Sequence, residues 1–242
     1  MSLTDLADRL LPLSGVFNAR DIGGYDTPAG PVAWGRLFRT AGLDLLDDAD
    51  RSLLAERAVR TVLDLRRDDE RTERPSALGN LPVSVVHISI SSGAPADFTE
   101  IPDLDTVYRQ MVRCSGPALA AAVTALAEPE ALPAIVHCTA GKDRTGLVVA
   151  FVLVLLGVDD DTVIADYSAS ASLLGHAFAD RLAGVDAEAL ERLAPLLGSP
   201  PELISAVLAE IRDTHGDVER FLVHHGMSED VPGRLRRALV EP

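Results

Sequence analysis

The sequence predicts an α/β fold: a central, mostly parallel sheet of roughly four or five strands, flanked by helices, with a helical C-terminal half. Two observations predict it. Short apolar, β-branched runs alternate with helical patterns up to residue 138, and strands separated by helices pair in parallel. Beyond residue 138 only helical patterns follow. Because 242 residues can enclose one large core, we expect a single domain over 1–242.

The predicted strands of the first half are short and rich in β-branched residues, which suits a buried sheet. They are 33–40, 59–65, 83–90 and 133–138. A capping aspartate, Asp47 or Asp48, begins a helix to about Arg57, and two further helical patterns precede the last strand. Those two are 104–113 and 117–128. The charge run 66–75 is expected to be solvated, and the turn-rich segment 91–103 is expected to be a loop.

The second half consists of helical patterns that glycine and proline separate. They are 144–157, 159–172, 186–197, 201–214, 217–225 and 229–240. The longest apolar run, 147–158, has 12 residues, which is too short to span a bilayer. It predicts a buried helix, and we expect no integral membrane segment.

Composition argues against several classes of protein. The net charge of −15 argues against a nucleic-acid-binding protein, whose surface is basic. Two cysteines, Cys114 and Cys138, are too few for a secreted disulfide scaffold, so we expect reduced thiols. The first ten residues lack the basic and apolar regions of a signal peptide. This favours a cytoplasmic location and leaves export by another route open.

The segment HCTAGKDRTG, residues 137–146, carries the candidate chemistry. It joins a predicted buried strand to a predicted helix, at the edge where open α/β sheets place ligands. A helix N-terminus offers unpaired N–H groups and a partial positive charge, and glycine permits close approach of the backbone. We therefore expect a nest of N–H groups that binds phosphate or a similar anion. It is formed by Thr139, Ala140, Gly141 and Lys142.

The side chains of this segment suit reactions at phosphorus. The guanidinium of Arg144 matches two oxygens of a phosphate group. A cysteine beside an arginine and a helix N-terminus is readily ionised, so Cys138 is expected to be a thiolate nucleophile. Thr145 is expected to hydrogen-bond the sulfur and ease its departure, and His137 to hold the loop from behind.

Other interpretations of this segment explain less. A free cysteine is most often a small buried apolar residue, which suits Cys114, but this leaves the accompanying His, Gly, Arg and Thr unexplained. A nucleotide-binding loop needs Lys followed directly by Ser or Thr, whereas Lys142 precedes Asp143. A zinc site needs three or four ligands at workable spacing, and two distant cysteines with scattered histidines do not offer them. We therefore expect neither a metal nor a cofactor.

The segment resembles the signature HC-x5-R-[ST] of the cysteine-dependent protein tyrosine phosphatase superfamily, which His137, Cys138, Arg144 and Thr145 meet. Its longer form, HCxAGKDRTG, is similar to that of the atypical bacterial PtpB-like or IphP-type tyrosine/serine phosphatases. Four other segments resemble further blocks of that branch, so the resemblance covers most of the chain. They are 17–25, 35–43, 61–75 and 216–240.

The resemblance implies a mechanism. Cys138 attacks phosphorus and forms a phosphocysteine, while Arg144 and the loop N–H groups hold the equatorial oxygens. An acid protonates the leaving oxygen, and water then hydrolyses the intermediate without a metal. The resemblance also implies that Asn18, Arg20 and Asp21 support the site. For part of 175–215, two alternatives stay open: a lid over Cys138, or ordinary packing on the sheet.

The identity of the acid stays open among several aspartates. Asp143, inside the signature loop, is favoured. Asp64 ends a predicted strand at the same edge of the sheet and is also a candidate for contact with substrate. Three further candidates lie upstream in the turn-rich segment: Asp97, Asp103 and Asp105.

Lys142, the only lysine of the chain, bears on the substrate. Its compact charge suits a second phosphate, as in a phosphoinositide, or a general attraction of anions to the pocket mouth. The expected partner is therefore a phosphorylated protein or phosphoinositide. Two other classes stay open: a phosphate-binding interaction module that has lost turnover, and thiol redox or arsenate chemistry. The redox class needs a resolving cysteine, for which Cys114 is the one candidate.

Overall fold

The computed structural model describes residues 3–91, 103–181 and 197–241. The strands are β1 Arg20–Asp21, β2 Asp26–Thr27, β3 Gly30–Pro31, β4 Leu37–Thr40, β5 Thr61–Asp64, β6 Ser84–His87 and β7 Ala134–His137. The helices are α1 Leu3–Arg9, α2 Asp48–Glu56, α3 Asp68–Glu73, α4 Leu104–Leu126, α5 Asp143–Leu156, α6 Asp160–Arg181, α7 Pro201–His215, α8 Val218–His224 and α9 Val231–Leu239. All the described strands therefore precede α5, and the described elements that follow it are all helices.

Five strands form one sheet in the order β1-β4-β7-β5-β6, and β2 pairs with β3 in a separate ribbon. β4, β7, β5 and β6 are parallel, whereas β1 pairs antiparallel with β4 at the edge. β7 lies at the centre, and all four of its residues are buried. Thr40, His137 and Asp64 stand opposite one another at the carboxyl ends of β4, β7 and β5. These three ends therefore form one edge, from which the candidate loop leaves.

The α/β class and the four predicted strands are confirmed, each with shorter bounds of four residues. β4 begins at Leu37 and not at residue 33 because Gly35, with φ +71°, turns the chain just before it. The two helices predicted over 104–128 form one helix, α4, that is kinked at Ser115, just before Pro117.

The charge run after β5 is largely exposed, as expected, but part of it forms a helix. Residues Asp68–Glu73 form α3, and the Glu70 carboxylate accepts the backbone N–H of Arg67 at 2.8 Å, which closes the first turn. α3 therefore has a fixed position beside the carboxyl edge of the sheet.

Helix α5 is the core helix of the molecule. Eleven of its 14 residues are buried, as expected for a helix that is apolar on all sides. It packs against α4, α6, α8 and α9 and ends at Gly157, whose φ of +93° forms a left-handed cap. This confirms the buried helix that the apolar run predicts, and it fixes the N-terminus of α5 at the candidate site.

The three last helices agree with the predicted bounds within two residues. α6 extends to Arg181, beyond the predicted end at 172, and the predicted helix 186–197 lies almost wholly outside the described residues. α7 packs on α4 and α6, and α8 packs on α4, α5 and α7. None of the described helices combines the length and the hydropathy that crossing a bilayer requires.

Candidate active site

The loop between β7 and α5 comprises residues 138–142. β7 ends at His137 and α5 begins at Asp143, so the unpaired N–H groups of the first turn of α5 lie at the carboxyl edge of the sheet. Gly141 has φ +65°, and a Cβ atom there would lie 2.2 Å from the carbonyl oxygen of Thr40. Only glycine fits such a position, so the loop packs directly on the end of β4.

Asn18 and Arg39 hold this loop by its carbonyl oxygens. The Nδ2 atom of Asn18 donates to the carbonyl oxygens of Ala140 at 3.2 Å and of Gly141 at 2.8 Å. Arg39 Nη2 also donates to the Gly141 oxygen, at 3.0 Å. In a trans peptide the N–H points away from the C=O, so the N–H groups of Gly141 and Lys142 face the opposite side. This orientation is the one that an anion nest needs.

A buried ionic network supports Asn18 and Arg39. Asp166 of α6 accepts Arg20 Nε at 3.0 Å and Arg39 Nη1, and all three side chains are almost fully buried. Burial and the nearby charge of Arg39 lower the pKa of Arg20 to about 10. Burial alone would raise the pKa of Asp166, but the two arginines hold it well below its usual range. The network is therefore charged, and it ties α6 to the strands beneath the loop.

Arg144 is held by Glu70 of α3. Its Nη1 donates to Glu70 Oε2 at 2.5 Å and its Nη2 to Oε1 at 2.8 Å. The Thr139 hydroxyl donates to the same Oε1 at 2.6 Å and accepts Arg144 Nη2 at 3.3 Å. Burial opposes both charges, but these contacts lower the pKa of Glu70 to about 2 and raise that of Arg144 above its usual value. The guanidinium is thus charged and fixed in orientation.

Cys138, the first residue of the loop, and Thr145, in the first turn of α5, are both buried. Cys138 is 2% exposed, and its proximity contributes to the raised pKa of Arg144. The Thr145 hydroxyl is fully buried and finds no hydrogen-bond partner within the described part of the chain. The expected bond from Thr145 to the sulfur is therefore not formed in this conformation.

His137 and Asp64 lie behind the loop. His137 Nδ1 is 3.1 Å from the carbonyl oxygen of Cys138, and its Nε2 is 3.7 Å from Asp64 Oδ2. Burial, reinforced by the charge of Arg66, lowers the pKa of His137 to about 4, so the ring is neutral. Arg66 donates two hydrogen bonds to the Asp64 carboxylate, from Nε at 2.9 Å and from Nη2 at 2.7 Å. Burial would raise the pKa of Asp64, but these bonds keep it below its usual value, which disfavours Asp64 as an acid.

Asp143 is the first residue of α5. Its Oδ1 accepts the Tyr108 hydroxyl at 2.9 Å and lies 3.3 Å from Lys142 Nζ. The Tyr108 hydroxyl is in turn 2.7 Å from that of Tyr167. Tyr108 and Lys142 therefore fix the Asp143 carboxylate, and Tyr167 orients Tyr108. The carboxylate remains partly exposed, with 29% of its side-chain surface accessible.

The upstream acid candidates take other roles. Asp103 caps α4 by accepting the backbone N–H of Thr106 at 2.7 Å, and Asp105 forms an exposed ion pair with Arg109 at 2.9 Å. Asp97 lies outside the described residues. Among the described candidates, Asp143 directly follows the loop, and its carboxylate contacts Tyr108 and Lys142 but makes no ion pair with a described arginine.

Lys142 is buried and is not at an exposed pocket mouth. Its side chain is 2% exposed, and Nζ donates to the carbonyl oxygen of Gly198 at 2.8 Å. The reason is that residues 197–200, which precede α7, reach the loop. Gly198 lies within 175–215, for which a lid and ordinary packing were the two alternatives. Residues 182–196 of that segment lie outside the described residues, and its last helix, α7, packs on α4 and α6.

A family model described as the tyrosine phosphatase family matches residues 11–241. The chain belongs to this family. The triple specificity protein phosphatase PtpB of Mycobacterium tuberculosis is 30% identical over 284 residues, which cover 97% of this chain and 100% of PtpB. A tyrosine-protein phosphatase of Nostoc commune is 33% identical over 214 residues, with 82% and 72% covered. The solved structure of P. aeruginosa TpbA is 19% identical, with a TM-score of 0.40, over 84% of this chain and 95% of TpbA.

In this phosphatase Asn18 contacts the loop directly, and Arg20 supports it by donating to the carbonyl oxygen of Asn18 and to Asp166. Asp21, predicted to support the site, instead accepts the backbone N–H groups of Gly23 at 2.8 Å and Gly35 at 2.6 Å. Burial raises the pKa of Asp21. It therefore stabilises the turn after β1, and its described hydrogen bonds do not reach the loop.

Four residues of the phosphatase site were not predicted: Arg39, Glu70, Tyr108 and Asp166. Arg39 and Glu70 lie in the blocks 35–43 and 61–75, whose resemblance to the family was a usable signal. Tyr108 and Asp166 lie on helices, where nothing in the local pattern distinguishes them from other helical residues.

Proposed function

We propose that this chain hydrolyses phosphate monoesters, phosphotyrosine first, through a phosphocysteine intermediate on Cys138. The observation that carries the proposal is the Arg144 guanidinium, charged and fixed by Glu70 beside a loop whose N–H groups face away from Asn18. Such preorganised donors stabilise the charge that develops on the equatorial oxygens in the transition state. Membership of the tyrosine phosphatase family supports phosphatase activity.

In the first step the Cys138 thiolate attacks phosphorus, an S–P bond forms, and the bond from phosphorus to the leaving oxygen breaks. Asp143 is the proposed acid that protonates this oxygen, because Tyr108 holds its partly exposed carboxyl group. In the second step water attacks phosphorus and gives a proton to the Asp143 carboxylate, the S–P bond breaks to restore the Cys138 thiolate, and inorganic phosphate leaves. The buried hydroxyl of Thr145, which has no partner among the described residues, supports a role as hydrogen-bond donor to the departing sulfur.

Phosphoserine, phosphothreonine and phosphoinositides are proposed as further substrates. PtpB, which is described as a triple specificity protein phosphatase, supports a wide range. A second phosphate on Lys142 would have to replace the bond from its Nζ to the carbonyl oxygen of Gly198. Because Cys138 is 2% exposed, we also propose that part of 175–215 moves aside as a lid to admit the substrate.

Hydrolysis of p-nitrophenyl phosphate in the presence of EDTA tests the cysteine mechanism. We expect turnover in the wild type, its loss in Cys138→Ser, and its retention in Cys114→Ser, which alters the exposed cysteine of α4. Phosphopeptides and phosphoinositides then establish the substrate range. Phosphate binding without turnover in the reduced wild type would favour the interaction module instead.

The redox alternative has less support. Cys114 is exposed, Cys138 is buried, and both are free thiols. A resolving cysteine must reach the sulfur that it attacks. Full phosphatase activity in Cys114→Ser would remove this alternative.

A further inference from the structure

Three histidines cluster on the C-terminal helices, apart from the phosphate loop. His215 is the last residue of α7, His224 is the last residue of α8, and His225 follows directly. One possible ligand atom from each of the three lies within 4.8 Å of the others. None of them takes part in the contacts that hold Cys138 or Arg144.

The fold brings these rings together by a short turn. Gly216, with φ +92°, ends α7, and Asp217 caps α8, so the two helix ends approach each other. The Phe221 ring packs edge-on to His215 at 5.1 Å and to His225 at 4.7 Å between centroids. A Cβ atom at Gly116 of α4 would lie 2.5 Å from atoms of the His225 ring. Because Gly116 has no side chain, the His225 ring packs directly against the backbone of α4.

The tautomer of His215 is set for metal binding. The Thr214 hydroxyl donates its one hydrogen to the carbonyl oxygen of Glu210 at 2.6 Å. It therefore accepts the Nδ1–H of His215, which lies 2.8 Å away. This leaves the lone pair on Nε2, and metal-binding histidines commonly make such a bond with the ring nitrogen that does not bind the metal.

We propose that His215, His224 and His225 bind one divalent transition-metal ion, with Zn²⁺ or Ni²⁺ as the expected class, and that water completes the coordination. Imidazole nitrogens suit these ions, whereas Ca²⁺ and Mg²⁺ require oxygen ligands. The C-terminal ends of α7 and α8 carry partial negative charge, which favours a cation at this place. The ion joins the end of α7 to the end of α8.

Binding requires the three rings to move closer together. Zinc–nitrogen bonds of about 2.0–2.1 Å around a tetrahedral ion place the nitrogens about 3.3 Å apart. The present separations of up to 4.8 Å therefore have to shrink by roughly 1.5 Å. The exposed side chain of His224 is free to rotate toward the two half-buried rings.

The test titrates Zn²⁺, Ni²⁺ and Co²⁺ by calorimetry into the full chain without a purification tag, in the Cys138→Ser background, which removes the competing thiolate. We expect one ion per chain, with visible Co²⁺ absorption bands typical of nitrogen ligands. Metal at about 100 times Kd should raise Tm by roughly 5–10 °C.

His224→Gln should weaken binding more than about tenfold. His87→Gln, a histidine outside the cluster, is the matched control and should bind as before.

Two results would overturn the proposal. The first is the absence of a heat signal, of Co²⁺ bands and of a Tm shift in the parent protein, which would leave the cluster as aromatic packing only. The second is equal affinity in His224→Gln and in the parent, which would place the ion elsewhere. Because the titration uses a variant without the nucleophile, its outcome is independent of the proposed phosphatase activity.

Discussion

At the scale of single residues, Glu70 decides how Arg144 meets a phosphate. Its two carboxylate oxygens and the Thr139 hydroxyl engage three of the five N–H donors of the guanidinium. The two remaining donors have no partner among the described residues and are free for a substrate. Glu70 is thus a positioning residue, which acts through Arg144 without touching the reacting atoms.

Replacing Glu70 tests whether it positions Arg144 for the chemical step more than for substrate binding. Glu70→Ala leaves Arg144 unpaired and mobile, so we expect kcat to fall roughly 10- to 100-fold with a smaller rise in KM. Steady-state kinetics on p-nitrophenyl phosphate measures both. Asp69→Ala on the same helix is the control, because its ion pair with Arg67 is exposed and solvent screens it. Equal kcat in the Glu70 variant and the wild type would contradict this role.

His137 makes stability depend on pH. Its pKa is about 4 in the folded chain, against an ordinary value of 6.5, because the ring is buried. Between these values the unfolded chain binds more protons, so stability falls as the pH falls from 6.5 to about 4. The full loss from this group is about 3 kcal/mol.

Urea unfolding at about pH 7 and about pH 4.5 measures this loss. The wild type should lose more unfolding free energy between the two conditions than His137→Asn, which cannot titrate there. An equal loss in both proteins would assign the pH dependence to other groups.

At the scale of elements, the sequence predicts a strand best where the strand is buried, because burial makes its residues apolar. The strand runs ending at Thr40, Asp64 and His137 are apolar because they are buried, so their positions and their common edge could be predicted. The partner of Arg144 could not. Glu70 precedes it by 74 residues, and α3 is a short helix within a run of charges whose local pattern indicates solvent. Periodicity reports which face is buried, but not which distant charges pair.

The turn between β7 and α5 depends on Gly141. Gly141→Ala combines φ +65° with a Cβ atom 2.2 Å from the Thr40 carbonyl oxygen, so the loop has to shift. We expect at least about a 100-fold loss of kcat/KM, because misplaced donors no longer match the transition state. Gly175→Ala, in α6 with nothing within 4 Å of its Cβ, is the control. It should retain activity and gain roughly 0.5–1 kcal/mol of stability. Similar activity in both variants would contradict the tight fit at Gly141.

At the scale of the whole molecule, one buried carboxylate connects the helical half to the sheet. Asp166 of α6 binds Arg20 of β1 and Arg39 of β4, and Arg39 reaches the loop at Gly141. The same α6 forms a second, exposed ion pair, between Asp160 and Arg212 of α7. The two pairs differ mainly in burial, so they allow a matched comparison.

Asp166→Asn leaves two buried arginines without a negative partner. We expect the free energy of unfolding to fall by about 3–5 kcal/mol, since breaking a buried pair strands an uncompensated charge. Asp160→Asn should cost less than about 1 kcal/mol because solvent screens its pair. Urea unfolding measures both values, and p-nitrophenyl phosphate turnover at a temperature where both variants are folded measures the effect on the loop. Activity should fall in the Asp166 variant alone, since only Asp166 orients the arginine that holds Gly141. Equal destabilisation by the two substitutions would mean that the buried network does not couple α6 to the loop.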